Sequence, residues 1–194
     1  MSKYVFFDLE TTGLRRDSEI LEFGALVFDE NFHLIDVINQ YYSCDDVPAG
    51  ATAIHGLTPI KLQMYNAVDW DRHAHDAYSV FEDPDIYICG HNVSGYDIPV
   101  LQTNLELSGI TWKPNTDRII DTMKLYGSRY DGSKKLSAAT ETAAAALGIT
   151  IRDIEMLFKN SPMIAAKIVD KTAYFHNALF DSYCSFVVYS TLLR

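Results

Sequence analysis

The stretch Phe7-Asp8-Leu9-Glu10-Thr11-Thr12-Gly13-Leu14 decides how the rest of the chain is read. It closes an apolar run, rich in Val, Phe and Tyr, that reads as a buried strand from Lys3 to Asp8. Successive side chains of a strand point to opposite faces, so Asp8 and Glu10 put two carboxylates on one side at its end. Two acids side by side repel unless a positive charge sits between them, and a divalent cation with oxygen ligands is the usual solution. Asp-x-Glu alone also fits a solvated strand end. The trailing glycine favours a site, because it lets backbone approach a ligand closely.

Outward from this strand, Glu19 to Phe28 and His33 to Tyr42 read as two more strands. Glu30-Asn31 is the turn between them, and the three form an antiparallel meander. Thr58-Pro59 is a helix start, with Thr as the cap and Pro at the first helical position. Trp70 to Phe81 is expected to be helical, Ile86 to Cys89 a buried strand, Tyr96 to Leu107 a helix, and Ile119-Ile120 a short strand followed by Asp121 as a helix cap. Ser137 to Leu147 is an alanine-rich helix with a Ser cap and Gly148 just past its end. One or two short helices, broken near Pro162, fill Ile151 to Lys171, and a last helix runs from about Asn177 to Leu193. A strand meander followed by strands alternating with helices implies an α/β fold with a mixed sheet flanked by helices. The 194 residues fit a single domain, 1–194.

Two further clusters carry chemistry. Gly90-His91-Asn92-Val93-Ser94-Gly95-Tyr96-Asp97 follows a buried strand and opens a helix. Its acid, Asp97, stands at the mouth of that helix near a strand end, the usual place for a site in such sheets, although an acid there also supports the first helical turn. His176-Asn177-Ala178-Leu179-Phe180-Asp181 places a histidine just before the last helix and an acid near its start. His73 and His75, two apart on a helix, do not face the same way and make a poor metal pair.

With 16 basic and 26 acidic residues the formal charge is −10, which argues against nucleic-acid binding through a basic surface but not against an enzyme whose acids hold cations at the point of contact. Cys44, Cys89 and Cys184 are odd in number and have no CxxC spacing, so reduced, buried thiols are expected rather than disulfides or a zinc site. There is no run of 18 or more apolar residues and no signal-peptide pattern, which gives an expectation of a cytoplasmic protein without a membrane span.

In order, context and spacing, the three clusters resemble the three motifs of the DEDDh (DnaQ-like) 3′–5′ exonucleases, a family that includes polymerase proofreading subunits, RNase T-like enzymes and oligoribonucleases. The resemblance covers nearly the whole chain. It extends to Ala51-Thr52-Ala53-Ile54-His55-Gly56-Leu57-Thr58, to Asp121-Thr122 and to Leu136 through Ile149. A subgroup with a catalytic tyrosine carries it four residues before the last acid. Here that position is Asn177, so the histidine subgroup is indicated.

The resemblance implies a ribonuclease-H-like fold with a five-stranded mixed sheet. It implies two divalent cations, Mg²⁺ or Mn²⁺, held by Asp8, Glu10, Asp97 and Asp181, with His176 as general base. A histidine suits that role because its unperturbed pKa, about 6.5, is close to working pH. Thr11, Thr12 and Gly13 would hold the terminal nucleotide, Leu14 would wedge against its base, and His55 and Asn92 would line the pocket. The implied partners are single-stranded nucleic acid 3′ ends, with a polymerase or a second copy as further associations. The segment between Gly148 and His176, with Lys159, Lys167 and Lys171, looks longer than in compact proofreading members and is expected to help select substrate. The chain stops soon after the third motif, which favours a free-standing enzyme. Trimming of short oligoribonucleotides and a catalytically silent binding module are the alternatives.

Overall fold

A computed structural model describes residues 2–169 and 175–194 of the chain. Five strands, β1 (Tyr4–Thr11), β2 (Ile20–Phe28), β3 (Leu34–Tyr41), β4 (Tyr87–Gly90) and β5 (Ile119–Asp121), form one sheet in the order β3-β2-β1-β4-β5. β2 pairs antiparallel with both β1 and β3. β4 pairs parallel with β1 on one side and with β5 on the other. The expected meander and mixed sheet are both present. Its β2–β3 turn is drawn tight by Asp29, whose side chain accepts the backbone N–H groups of Asn31 and His33.

The helices are α1 (Ala49–His55), α2 (Pro59–Met64), α3 (Trp70–Ser79), α4 (Asp97–Leu107), α5 (Thr122–Arg129), α6 (Leu136–Leu147), α7 (Ile151–Asn160), α8 (Pro162–Ala165) and α9 (Ala178–Leu192). Thr58 caps α2 through the Lys61 N–H, and Pro59 follows at the first helical position. Thr150 and Asp153 form a capping box for α7, and Pro162 opens α8, so the break expected there is present. Two readings differ from the structure. α6 starts at Leu136, with Lys135 at the cap position two residues before the expected Ser137 and without a side-chain cap. Leu136 packs against the core, and that burial outweighs the capping preference of Ser137. α1 is a helix that the sequence does not signal. It buries no residue, so it carries no apolar periodicity to read, and it is closed by Gly56 in the left-handed conformation (φ 72°).

The sheet separates two apolar layers. Val5, Phe7 and Leu9 of β1 pack with Ala74, Ala77, Val100 and Leu101 from α3 and α4. Phe6, on the opposite face, packs its ring 5.5 Å from Phe186 and 5.6 Å from Tyr189 of α9. Phe6 has no exposed surface, and truncation to Ala there would cost about 3–5 kcal/mol. α9 lies so close to β2 that a Cβ on Gly24 would come within 2.3 Å of the Leu179 nitrogen. Only glycine fits, and this contact sets the depth of the helix start beside β1. The three cysteines are free and buried. Among the described residues no helix is long and apolar enough to cross a membrane.

Candidate active site

Because Phe6 faces α9, so do Asp8 and Glu10, two and four residues further along the same strand. Asp97 is the first residue of α4, and its Oδ1 accepts the Leu9 N–H at 3.1 Å, which ties the second cluster to the first. Asp181 lies in the first turn of α9, and its Oδ2 accepts the His176 N–H at 3.0 Å. Glu10, Asp97 and Asp181 are buried and Asp8 is partly buried. His176 is exposed at the rim, with φ 67°. One ligand atom each from Glu10, His176 and Asp181 lie within 4.8 Å of one another. Three segments far apart in sequence thus bring the predicted acids and the histidine to one place.

The electrostatics of the cluster are unfavourable without a counter-charge. Burial, then repulsion from Asp97, Asp181, Glu10 and Glu22, pushes Asp8 well above the usual carboxylate range. Burial, then Asp181, Glu22 and Asp97, does the same to Glu10. Burial raises Asp97 to about 7 against the lowering effect of backbone N–H groups, including that of Leu9. Burial also raises Asp181 to about 8, opposed by the hydrogen bond from His176. Asp181 Oδ1 is buried and accepts no hydrogen bond. A buried acceptor left over among crowded carboxylates is what a hard divalent cation satisfies, and an all-oxygen donor set suits Mg²⁺ or Mn²⁺. The residues fit the implied ions.

The predicted substrate-binding residues Thr11 to Leu14 follow directly on Glu10. Thr11 Oγ1 donates to the Gly13 carbonyl at 2.7 Å, and Tyr96 Oη donates to that carbonyl at 2.5 Å. Thr12 Oγ1 accepts the Glu19 N–H at 3.0 Å. Leu14 is 89% exposed, an apolar side chain held out into solvent four residues after Glu10. His55 reaches this loop: its Nδ1 accepts the Leu57 N–H at 3.0 Å, so its Nε2 carries the proton and donates to the Thr11 carbonyl at 3.2 Å. Both ring nitrogens hold backbone, and the ring lies near enough to His176 to feel its charge. Asn92 takes a left-handed conformation (φ 65°) and gives its N–H to Asp121 at 3.0 Å.

Three contributors escape the sequence reading or have a larger part than it gives them. Glu22 is 1% exposed within a strand in which every residue is buried, and an acid inside so apolar a run was the available signal. Asp121 caps α5 as expected, but it also accepts the N–H groups of Asn92 and Ser94 and the Ser94 hydroxyl. Tyr96 had no signal beyond its place next to Asp97. His73 and His75 pair separately with Asp76 and Glu82, so they make no metal pair. In the later segment Lys159 pairs with Glu155, and the Lys167 carbonyl accepts from Asn39 on β3. Lys171 lies outside the described residues.

The RNase_T family model, described as "Exonuclease", matches residues 5–182. The chain belongs to this exonuclease family. Its type is the DEDDh, DnaQ-like one, and its fold is the ribonuclease-H-like exonuclease fold. Two curated relatives share part of the chain. The PolC-type DNA polymerase III of Mycoplasma genitalium is 32% identical over 124 residues, covering 63% of this chain and 8% of that protein. The uncharacterized exonuclease CP81 of Escherichia phage 186 is 30% identical over 128 residues, covering 66% of this chain and 53% of that protein. Among solved structures, a zinc-bound complex of E. coli exonuclease I with single-stranded DNA matches with TM-score 0.69 at 21% identity, over 100% of this chain and 40% of that one. The chain therefore covers less than two thirds of the length of each of these three proteins.

Proposed function

We propose that this exonuclease acts from the 3′ end of single-stranded DNA or RNA, releases nucleoside 5′-monophosphates, and depends on two divalent cations. The observation that carries the reading is the convergence of four carboxylates, from β1, α4 and α9, on one site beside an exposed histidine. Asp8, Glu10, Asp97 and Asp181 would hold two Mg²⁺ or Mn²⁺ ions, which supply Lewis-acid stabilisation of the charge that develops at the phosphodiester.

The remaining work falls to the chain's own groups. His176, exposed at the rim, takes the proton from the attacking water as general base. The turn Thr11–Gly13, held by Tyr96 and His55, offers backbone to the terminal nucleotide. Leu14 covers the base by apolar contact, which tolerates any base. Asn92 and the face of His55 line the same pocket. A net charge of −10 offers little long-range attraction for phosphates, which favours short grips on strand ends over tracking along a long strand. That observation keeps trimming of short oligoribonucleotides as the second reading. Association with a polymerase, or with a second copy, belongs to the same proposal. It is supported by the PolC relative for the former.

The test is to incubate the protein with 5′-labelled single-stranded DNA and matching RNA, with Mg²⁺, Mn²⁺ or EDTA, beside His176→Ala and Asp8→Ala. A metal-dependent ladder that shortens from the 3′ end and disappears in both variants is expected. The faster substrate identifies the sugar. A ladder that survives Asp8→Ala, or none with any metal, overturns the reading.

A further inference from the structure

We infer that Glu22 is a positioning residue for the catalytic corner: it clamps the start of α9 to β2 and thereby sets where His176 and Asp181 stand. The inference rests on the exonuclease reading above.

Glu22 lies directly opposite Glu10 in the antiparallel β1–β2 pair. Like charges at facing positions destabilise a sheet, and here both are buried, so Glu22 is retained against a cost. Its partners show what offsets that cost. One oxygen accepts the Asn177 side-chain amide at 2.7 Å, and the other accepts the Ala178 backbone N–H at 3.3 Å. Both groups sit at the start of α9, where unpaired N–H groups and the helix dipole favour an anion. The Tyr41 hydroxyl, from the strand beyond, lies 3.4 Å from the same Asn177 amide.

Asn177 faces both ways. Its Oδ1 accepts the Phe180 N–H and caps the helix, while its Nδ2 is held by Glu22. His176 precedes it in the left-handed conformation that side-chain-bearing residues seldom adopt, so the corner does not hold that shape on its own. Asp181 Oδ2 holds the corner at the His176 N–H, and Glu22 holds it one and two residues later. Tyr41 also hydrogen-bonds Glu22, and both Glu22 oxygens meet the helix start, so its part is to orient the base and the last acid. Carboxylates that orient ligands in this way are worth about 10–100-fold in metal affinity or activity.

The test reverses the polarity of the hydrogen bond. Glu22→Gln places an amide donor against the Asn177 donor, and Asn177→Asp places two carboxylates together. The double variant restores one donor and one acceptor, and the carboxylate introduced by Asn177→Asp still caps the helix. Each single variant is expected to lower kcat about 10–100-fold with little change in KM, and the double variant to recover most of the loss. Single variants that match the parent in kcat, or a double variant as poor as the two losses multiplied, overturn the inference.

Hydrogen exchange over residues 176–182 in the same four proteins reads the clamp without turnover. Protection should fall in each single variant and return in the double. If the parent protein degrades no substrate, the exonuclease reading fails, and exchange decides the clamp alone. Unaltered protection would then overturn it.

Discussion

Two corners carry the site, and they solve one problem differently. The corner from Asn92 to Asp97 and the corner from His176 to Asp181 each begin with a residue in the left-handed region, at φ 65° and 67°. Each is held by buried carboxylates that accept backbone N–H groups. In the first corner the holder, Asp121, is distinct from the site acid, Asp97. In the second, Glu22 holds Asn177 and Ala178, but Asp181 shares the holding with its site role: one oxygen holds the His176 N–H and the other is left for the site. Where holding and chemistry are separate they should be separable by mutation. Where one residue does both, they should fail together.

The largest effect expected is at the combined position. Asp181→Ala should lower the exonuclease rate on the order of 10⁴-fold or more, the scale for removing a central catalytic group. It should also loosen the His176 corner, seen as faster hydrogen exchange there. Asp97→Asn should lose activity on a similar scale while the first corner keeps its exchange protection. Equal protection in both variants would break the contrast between the corners.

Next comes His176→Ala. Loss of a general base is expected to cost about 10²–10⁴-fold in kcat with metal binding retained, measured by single-turnover kinetics and calorimetry side by side. Loss of metal binding in this variant would move His176 from base to ligand.

Asp121→Ala sharpens the comparison from the other side. It removes a helix cap and strands the N–H groups of Asn92 and Ser94, so stability should fall by about 2–4 kcal/mol. For a chain of this size that is roughly 5–15 °C in Tm. The residual activity per folded molecule should exceed that of Asp181→Ala by orders of magnitude.

The last prediction concerns pH. Asp97, raised to about 7, and Asp181, raised to about 8, keep protons in the native state that they lose in the unfolded chain. The native state therefore binds more protons above the ordinary carboxylate range, about pH 4. The associated stability is full below that range and is lost as pH rises through about 7 and 8. The metal-free Tm should fall from about pH 5 to about pH 9, and Mn²⁺ should reverse the fall most strongly at the alkaline end. A metal-free Tm that rises with pH over this interval would contradict the crowding of acids in the site.

Much of this was legible because acids stand out where they interrupt apolar strands. Asp8 and Glu10 end an apolar run, Asp97 opens a helix after one, and the spacing of His176 and Asp181 matches a family pattern. The five strands were readable for the same reason, through β-branched and aromatic runs between turns. The holders were less legible. Glu22 has no motif around it, and its role exists only because Gly24 lets α9 approach β2. Asp121 was readable as a cap, but its hold on residues 92–94 depends on β4 and β5 lying side by side. α1 left no trace, since a helix that buries nothing has no apolar stripe. Local chemistry is written locally, whereas what steadies it is distributed across the fold.

The central claim is that these buried acids exist to hold divalent cations. Calorimetric titration of the metal-free protein with Mn²⁺ near neutral pH, repeated in buffers of different ionisation enthalpy, tests it most directly. Two ions per chain should bind with release of protons, because Asp97 and Asp181 must ionise to serve as ligands, and Asp8→Asn should abolish at least one of them. Absence of binding, or binding whose heat is the same in every buffer and survives Asp8→Asn, would contradict the account.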